Sequence, residues 1–451
     1  MDLTPVKVAT MILKHYGVAT CVVGEIVLNY YNVPRICHDI EICVSKSTAE
    51  DAASYLCSTG LFEPVHEGCD FNEYTEYRRH MPRVRTTSWI SSTQVVVIFP
   101  ADLFGLDPIE KILVGPLMPR KVHLSKEIRD LSPEDVASLP LPRLAPLLKG
   151  LARRFLDRGD DMAMIGVEQL VDGMDLDHQW VQRHLDSVET PVTALILERI
   201  QGKKGRIDYY SDNLVTCYIS DREEAGNGRL NDAAIALHRI LSREGINFGI
   251  FGGYAIGAVG GVRESKDVDC LASITKAQVI QLLDNQEGFR VIPQSREDYV
   301  AFFWSDQSDS RNAVLVEIFC EQFPGARYTM QGVICNTMVI KGVSFSEGTS
   351  CFLDPFYLFK GKLRASAARN KFHDSVDLRM LISRYESIIK PRVNELNLEY
   401  IGLSIKRYPE LERLFNQLGV DVEKARLAAA DLDPNNISPP AVGDVQNGLL
   451  G

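Results

Sequence analysis

The chain has 451 residues, 45% hydrophobic and 24% charged, an ordinary globular composition with room for about three domains at roughly 150 residues each. Lys and Arg number 49 against 60 Asp and Glu, a formal charge of −11, so the chain as a whole is not built to grip a nucleic-acid backbone, which needs a basic surface. The opening MDLTPVKVATMILKHYG has no apolar h-region or cleavage site, and no run nears the ~20 apolar residues that span a bilayer, so neither a secretion signal nor a membrane is expected.

In chain order, a helix-like segment at 6–17 (VKVATMILKHYG) leads into a β-branched run at 18–24 (VATCVVG). A second helix-like stretch and a turn follow, then a short strand with alternating acids at 38–44 (HDIEICV), a helix at 47–60 and an apolar strand at 93–99 (TQVVVIF). The same order returns further on: helix 231–245, strand 246–253 (INFGIFGG), acid-bearing strand 266–272 (KDVDCLA), helix 275–288 and strand 312–319 (NAVLVEIF). A shift of 228 places Gly17 on Gly245, Gly24 on Gly252, Arg35 on Arg263, Asp39 on Asp267 and Glu41 on Asp269. Two α/β units in tandem, with mixed sheets, is the economical reading. Cysteines scattered through the strand-like runs, such as Cys21, Cys43, Cys270 and Cys320, suit reduced thiols in a cytoplasmic protein. No CxxC spacing or His cluster marks a structural zinc.

Residues i and i+2 of a strand share a face, so Asp267 and Asp269 point together while Val268 and Cys270 point into the packed side. Two carboxylates so close repel unless a cation lies between them. Hard oxygen ligands, with no His or Cys competing, favour Mg²⁺ or Mn²⁺. Glu317 is a lone acid amid apolar neighbours in the next strand, where burial is costly unless the acid is paired or metal-bound. In the first copy Val97 takes the place of Glu317, and Glu25 stands where Gly253 does.

A Gly-Gly turn, 13 intervening residues (254–266), an acid pair split by one apolar residue and a third acid on a later strand resemble the polymerase-beta-like nucleotidyltransferase superfamily. The order GGYAIG then GVRESKDVD is similar to its small-molecule and toxin branches. Farther on, KLRASAARNKFHDSVDL (362–378) resembles the helical motif of the AbiEii-like nucleotidyltransferase toxins. The resemblance implies Asp267, Asp269 and Glu317 as catalytic metal ligands, and Gly252, Gly253, Arg263, Ser265, Lys362, Arg369 and Asp374 as nucleotide contacts, with Asp377 beside them. The family pattern often has Lys just before the first acid, where this chain has His373. Read as one continuous helix, Lys362, Arg369, His373 and Asp377 share a face.

The implied activity is transfer of a nucleoside monophosphate from an NTP to a small-molecule acceptor, with pyrophosphate leaving. Its nearest rival is toxin-like transfer to tRNA, against which the acidic balance weighs, or to protein. A non-catalytic binding or scaffold protein is the reading from another class. The expected organisation is a degenerate nucleotidyltransferase-like domain at 1–200, a linker at 201–229 and a catalytic core at 230–350. A helical part at 351–432 and an extended tail at 433–451, rich in Pro, Gly and Asn, follow.

Overall fold

The computed structural model describes residues 2–451 except 36, 46–47, 66–74, 91–92, 115–123, 126–127, 129–130, 186–189, 207–227, 262–264, 308–312 and 437–439. It divides into two compact units, Met1–Lys203 and Lys204–Gly451, each a mixed α/β body with its own mixed sheet. Of the expected linker, Gly202–Arg206 is a 3₁₀ turn, 207–227 lie outside the described residues and a helix begins at Gly228.

In the first unit the strands are β1 (Thr20–Val23), β2 (Ile40–Val44), β3 (Phe62–Pro64), β4 (Arg83–Thr86) and β5 (Val95–Pro100), in the spatial order β1-β2-β5-β4-β3. β2 and β5 run parallel, and the other neighbours are antiparallel. The β-branched runs that predict these strands supply their core: Val22, Val23, Ile42, Val96, Val97 and Ile98 are all inaccessible to solvent. Each such side chain contributes about 1.5–3 kcal/mol relative to exposure.

The second unit has seven strands. They are β6 (Phe248–Phe251), β7 (Asp267–Thr275), β8 (Phe289–Ile292), β9 (Tyr299–Trp304), β10 (Val314–Gln322), β11 (Cys335–Lys341) and β12 (Glu347–Leu353). The spatial order is β11-β12-β6-β7-β10-β9-β8, with β7 parallel to β10 and β6 parallel to β12. The β11–β12 hairpin is tied to the Gly228–Arg243 helix by the fully buried Asp232, which accepts backbone N–H groups of Val343, Ser344 and Phe345. Three donors and the neighbouring Arg229 compensate the burial of that carboxylate.

Two expectations about the C-terminal half are corrected. Residues 355–389 are not one helix: Pro355–Ala368 and Phe372–Ile389 are separate helices joined by a short turn. Arg369 is extended there (φ −138°, ψ 153°) and Asn370 donates its N–H to Gly205 O, so the intrahelical ladder stops. The chain end is not an extended tail. Asp444–Leu450 is a helix whose Val445 and Leu449 are buried, and Arg364 pairs with Asp444. Asp298, fully buried and held by Arg296, also accepts the Gly443 N–H, while the Gln446 amide donates to the carbonyls of Asp298 and Cys320. Proline and glycine mask helical periodicity in so short a segment, which is why it reads as tail. No helix among the described residues is long and apolar enough to cross a membrane. The described cysteines are unbridged.

Candidate active site

β7 alternates in burial: Asp267 and Asp269 are partly exposed, and Val268 and Cys270 are buried on the other face. β10 lies parallel to it with Leu315 opposite Asp267 and Glu317 opposite Asp269. Strands about 4.8 Å apart in this register put the three acids on one face. One carboxylate oxygen from each of Asp267, Asp269 and Glu317 lies within 4.8 Å of the others.

Each acid is set by a neighbour. Ser265 Oγ donates to Asp267 Oδ1 at 2.8 Å. Tyr299, on β9, donates its hydroxyl to Glu317 Oε1 at 2.5 Å, a buried contact that helps compensate a residue only 6% exposed. The Tyr299 ring packs on Phe319, which in turn meets Phe251. Gly252 sits behind Asp269 with φ +73°, and a Cβ at that position would lie 1.8 Å from Asp269 Oδ2. The second carboxylate therefore occupies the space that a side chain at 252 would need, and only glycine satisfies both the conformation and the room. Gly253 follows, buried at the start of the Gly252–Ala258 helix. Arg263 lies outside the described residues.

Lys362, Arg369, Asp374 and Asp377 meet, but as partners of one another across the helix turn. Lys362 Nζ lies 2.7 Å from Asp377 Oδ2 and 3.4 Å from Asp374 Oδ1, and Arg369 binds both oxygens of Asp374 at 2.8 and 3.0 Å. His373 Nε2 is 3.7 Å from Asp374. Lys362, Asp374 and Asp377 are buried, whereas the Arg369 side chain is 32% exposed. Burial disfavours a charged Asp374, yet Arg369 and then Lys362 beside it hold its carboxyl well below the usual range. A continuous helix would have set these residues in a row; the turn at 369–371 folds them face to face.

The first unit repeats the frame with other contents. Val23 pairs with Glu41 as Phe251 pairs with Asp269, and Gly24 (φ +67°) has Glu41 Oε2 where its Cβ would be. Opposite Glu41 on β5 stands Val97, in the register that Glu317 holds opposite Asp269. Glu25 turns to the loop before β2, accepting the His38 N–H at 2.8 Å. Burial alone would raise its pKa, but the His38 side chain and N–H hold it below normal. Arg78 reaches in from a 3₁₀ turn: its Nε is 2.7 Å from Glu41 Oε1 and its Nη1 2.9 Å from Asp39 Oδ2. Tyr77 donates to Glu41 at 2.6 Å and stacks on Phe99. The sequence marks Tyr299, with Phe302, Phe303 and Trp304, as an aromatic set that is either core or acceptor-facing, and does not foresee its bond to Glu317. Tyr77 and Arg78 it misses altogether, because neither lies at a repeat-related position and each acts through a tertiary contact. The only available signal was that a buried acid requires a partner.

No family model matches the chain, and no curated protein matches it. Among solved structures, it is similar to an antigenic nucleotidyltransferase-like protein from Paracoccidioides brasiliensis, at 14% identity and TM-score 0.30, over 48% of this chain and 97% of that one. It is also similar to the Megavirus polyadenylate synthase, at 12% identity and TM-score 0.19, over 87% of this chain and 70% of that one.

Proposed function

We propose that the second unit is a nucleotidyltransferase that moves a nucleoside monophosphate from an NTP to a small-molecule acceptor, with release of pyrophosphate. The observation that carries this reading is the convergence of three carboxylates, from two parallel strands, to within 4.8 Å. An all-carboxylate set of that span fits Mg²⁺ or Mn²⁺, which prefer oxygen ligands. Asp267, Asp269 and Glu317 would hold the cation, which when bound neutralises phosphate charge and orients the displacement.

The chain's own residues do the rest. In this reading Glu317, held by Tyr299, helps take the acceptor's proton, and Ser265 fixes Asp267. Gly252 keeps Asp269 in place, and Gly253 offers the triphosphate a backbone without a side chain. Arg263 contacts the phosphates in this reading. Arg369, partly exposed, is the phosphate-facing member of the helix-turn cluster, with the buried Lys362 and Asp374 positioning it. We infer that the first unit is a diverged copy that lacks this chemistry, because Val97 replaces the third acid and Glu25 replaces the second glycine.

The test is mass spectrometry of products formed from Mg²⁺, each NTP in turn and a cell extract, beside an Asp267→Ala/Asp269→Ala control. Nucleotide-sized mass shifts on small molecules, absent from the control, are expected together with pyrophosphate. Shifts on tRNA or protein instead would replace the acceptor class, and no control-sensitive product would remove the enzymatic reading.

A further inference from the structure

Both acid pairs stand at the start of their unit's second strand, Asp39 immediately before β2 and Asp267 as the first residue of β7, and in both the antiparallel first strand ends opposite the second acid and is followed by a positive-φ glycine. What differs is the cation arrangement. In the second unit a third carboxylate, Glu317, completes a ligand set. In the first, the equivalent register position is Val97, and a guanidinium from outside the repeat pattern lies between Asp39 and Glu41. Arg78 Nε also donates to the Tyr77 hydroxyl at 3.0 Å, so its place is fixed by three groups, and only 14% of its side chain is exposed. The Glu41 side chain is 2% exposed, which makes an uncompensated charge there costly. Other charged groups close to the pair are Glu25, His38, Arg83 and Arg154.

We propose that Arg78 is a resident counter-cation: its guanidinium takes the place in the first unit that a divalent cation takes in the second, and keeps the Asp39–Glu41 pair closed to metal. The comparison with the second unit rests on the cation role assigned to its acid triad; the closure of the first unit stands on Arg78 alone. Bidentate-capable guanidinium against two carboxylates forms strong charge-assisted bonds and needs no ion from solution. A guanidinium supplies charge but no exchangeable coordination site, so no phosphate oxygen can be drawn onto it as onto Mg²⁺. The first unit thereby keeps the shape of the site while being indifferent to the divalent cations that the second unit uses.

The experiment is Mn²⁺ binding to the full chain, read by electron paramagnetic resonance titration, in four forms. The wild type is expected to bind Mn²⁺, and Asp267→Asn/Asp269→Asn to lose that binding. Adding Arg78→Gln to this double variant is expected to create a new Mn²⁺ site, and adding Asp39→Asn/Glu41→Gln on top to abolish it. If Arg78→Gln is unfolded without metal, the same titration is read by circular dichroism as Mn²⁺-dependent refolding. The proposal is overturned if the Asp267→Asn/Asp269→Asn protein still binds Mn²⁺ through Asp39 and Glu41. It is equally overturned if the Arg78→Gln form neither binds Mn²⁺ nor refolds with it. A wild type that binds none removes the cation role of the second unit, while the Arg78→Gln comparison still decides the first.

Discussion

Gly252 illustrates how one residue couples backbone conformation to site geometry. With φ +73° and Asp269 Oδ2 in its Cβ space, alanine there meets both a strained conformation and a collision. Gly252→Ala should cost about 1–3 kcal/mol of stability, since left-handed backbone and overpacking each destabilise on that scale. Denaturant unfolding measures this, and Mn²⁺ titration should show weakened binding because Asp269 must move. Asp374 offers a pH test. Its carboxyl is depressed in the folded state, so it stabilises the fold above the unfolded pKa, ~3.9, and that contribution is lost as pH falls toward the lower folded value. Asp374→Asn should therefore flatten the acid limb of the stability profile below about pH 4 while destabilising the protein at neutral pH, although Lys362 keeps its nearer partner Asp377. Chemical unfolding across pH resolves both effects.

Among the elements, the two acid-bearing strands were legible in the sequence because a period of two is a local property. Alternating Asp, Val, Asp and Cys dictates which side chains share a face, and the lone Glu317 in an apolar run marks its own strand. The mixed α/β class was legible from the same alternation of runs. Three features were not. The break at Arg369 arises where Asn370 bonds to Gly205, some 165 residues away in sequence, and no local propensity announces such a bond. Tyr299 belongs to an aromatic run, YVAFFW, that reads as core or as acceptor-facing; its ring is buried, and the bond from its hydroxyl to Glu317 has no local signal. The last helix is too short to show a period. Deleting Asp444–Gly451 should remove the Gln446 bonds to the Asp298 and Cys320 carbonyls and the Asp444 partner of Arg364, and lower the melting temperature, with β9 and β10 losing hydrogen-exchange protection before the first unit does. Unchanged protection in β9 and β10 would show that the helix is dispensable.

For the molecule as a whole, the proposed roles of the two acid sites would divide the response to ions between the units. The second unit carries three converging carboxylates, whose mutual repulsion a divalent cation relieves; the first answers its own acids with Arg78. Adding Mg²⁺ to the metal-free chain should therefore slow hydrogen exchange in β7 and β10 and leave β2 and β5 unchanged, a contrast that mass spectrometry reads within one sample. The excess of acidic residues, −11 in all, makes this local compensation more telling, since the chain has no general surplus of cations to lend.

Gly24 extends the point to heredity. Glu41 fills the space beside it and its φ is +67°, so replacement is obstructed whatever the first unit does or does not catalyse. A saturation library at this codon should return almost nothing but glycine among folded clones. Invariance there, in any lineage, would then be a record of architecture, and the loss of an ancestral chemistry would leave no trace at that position.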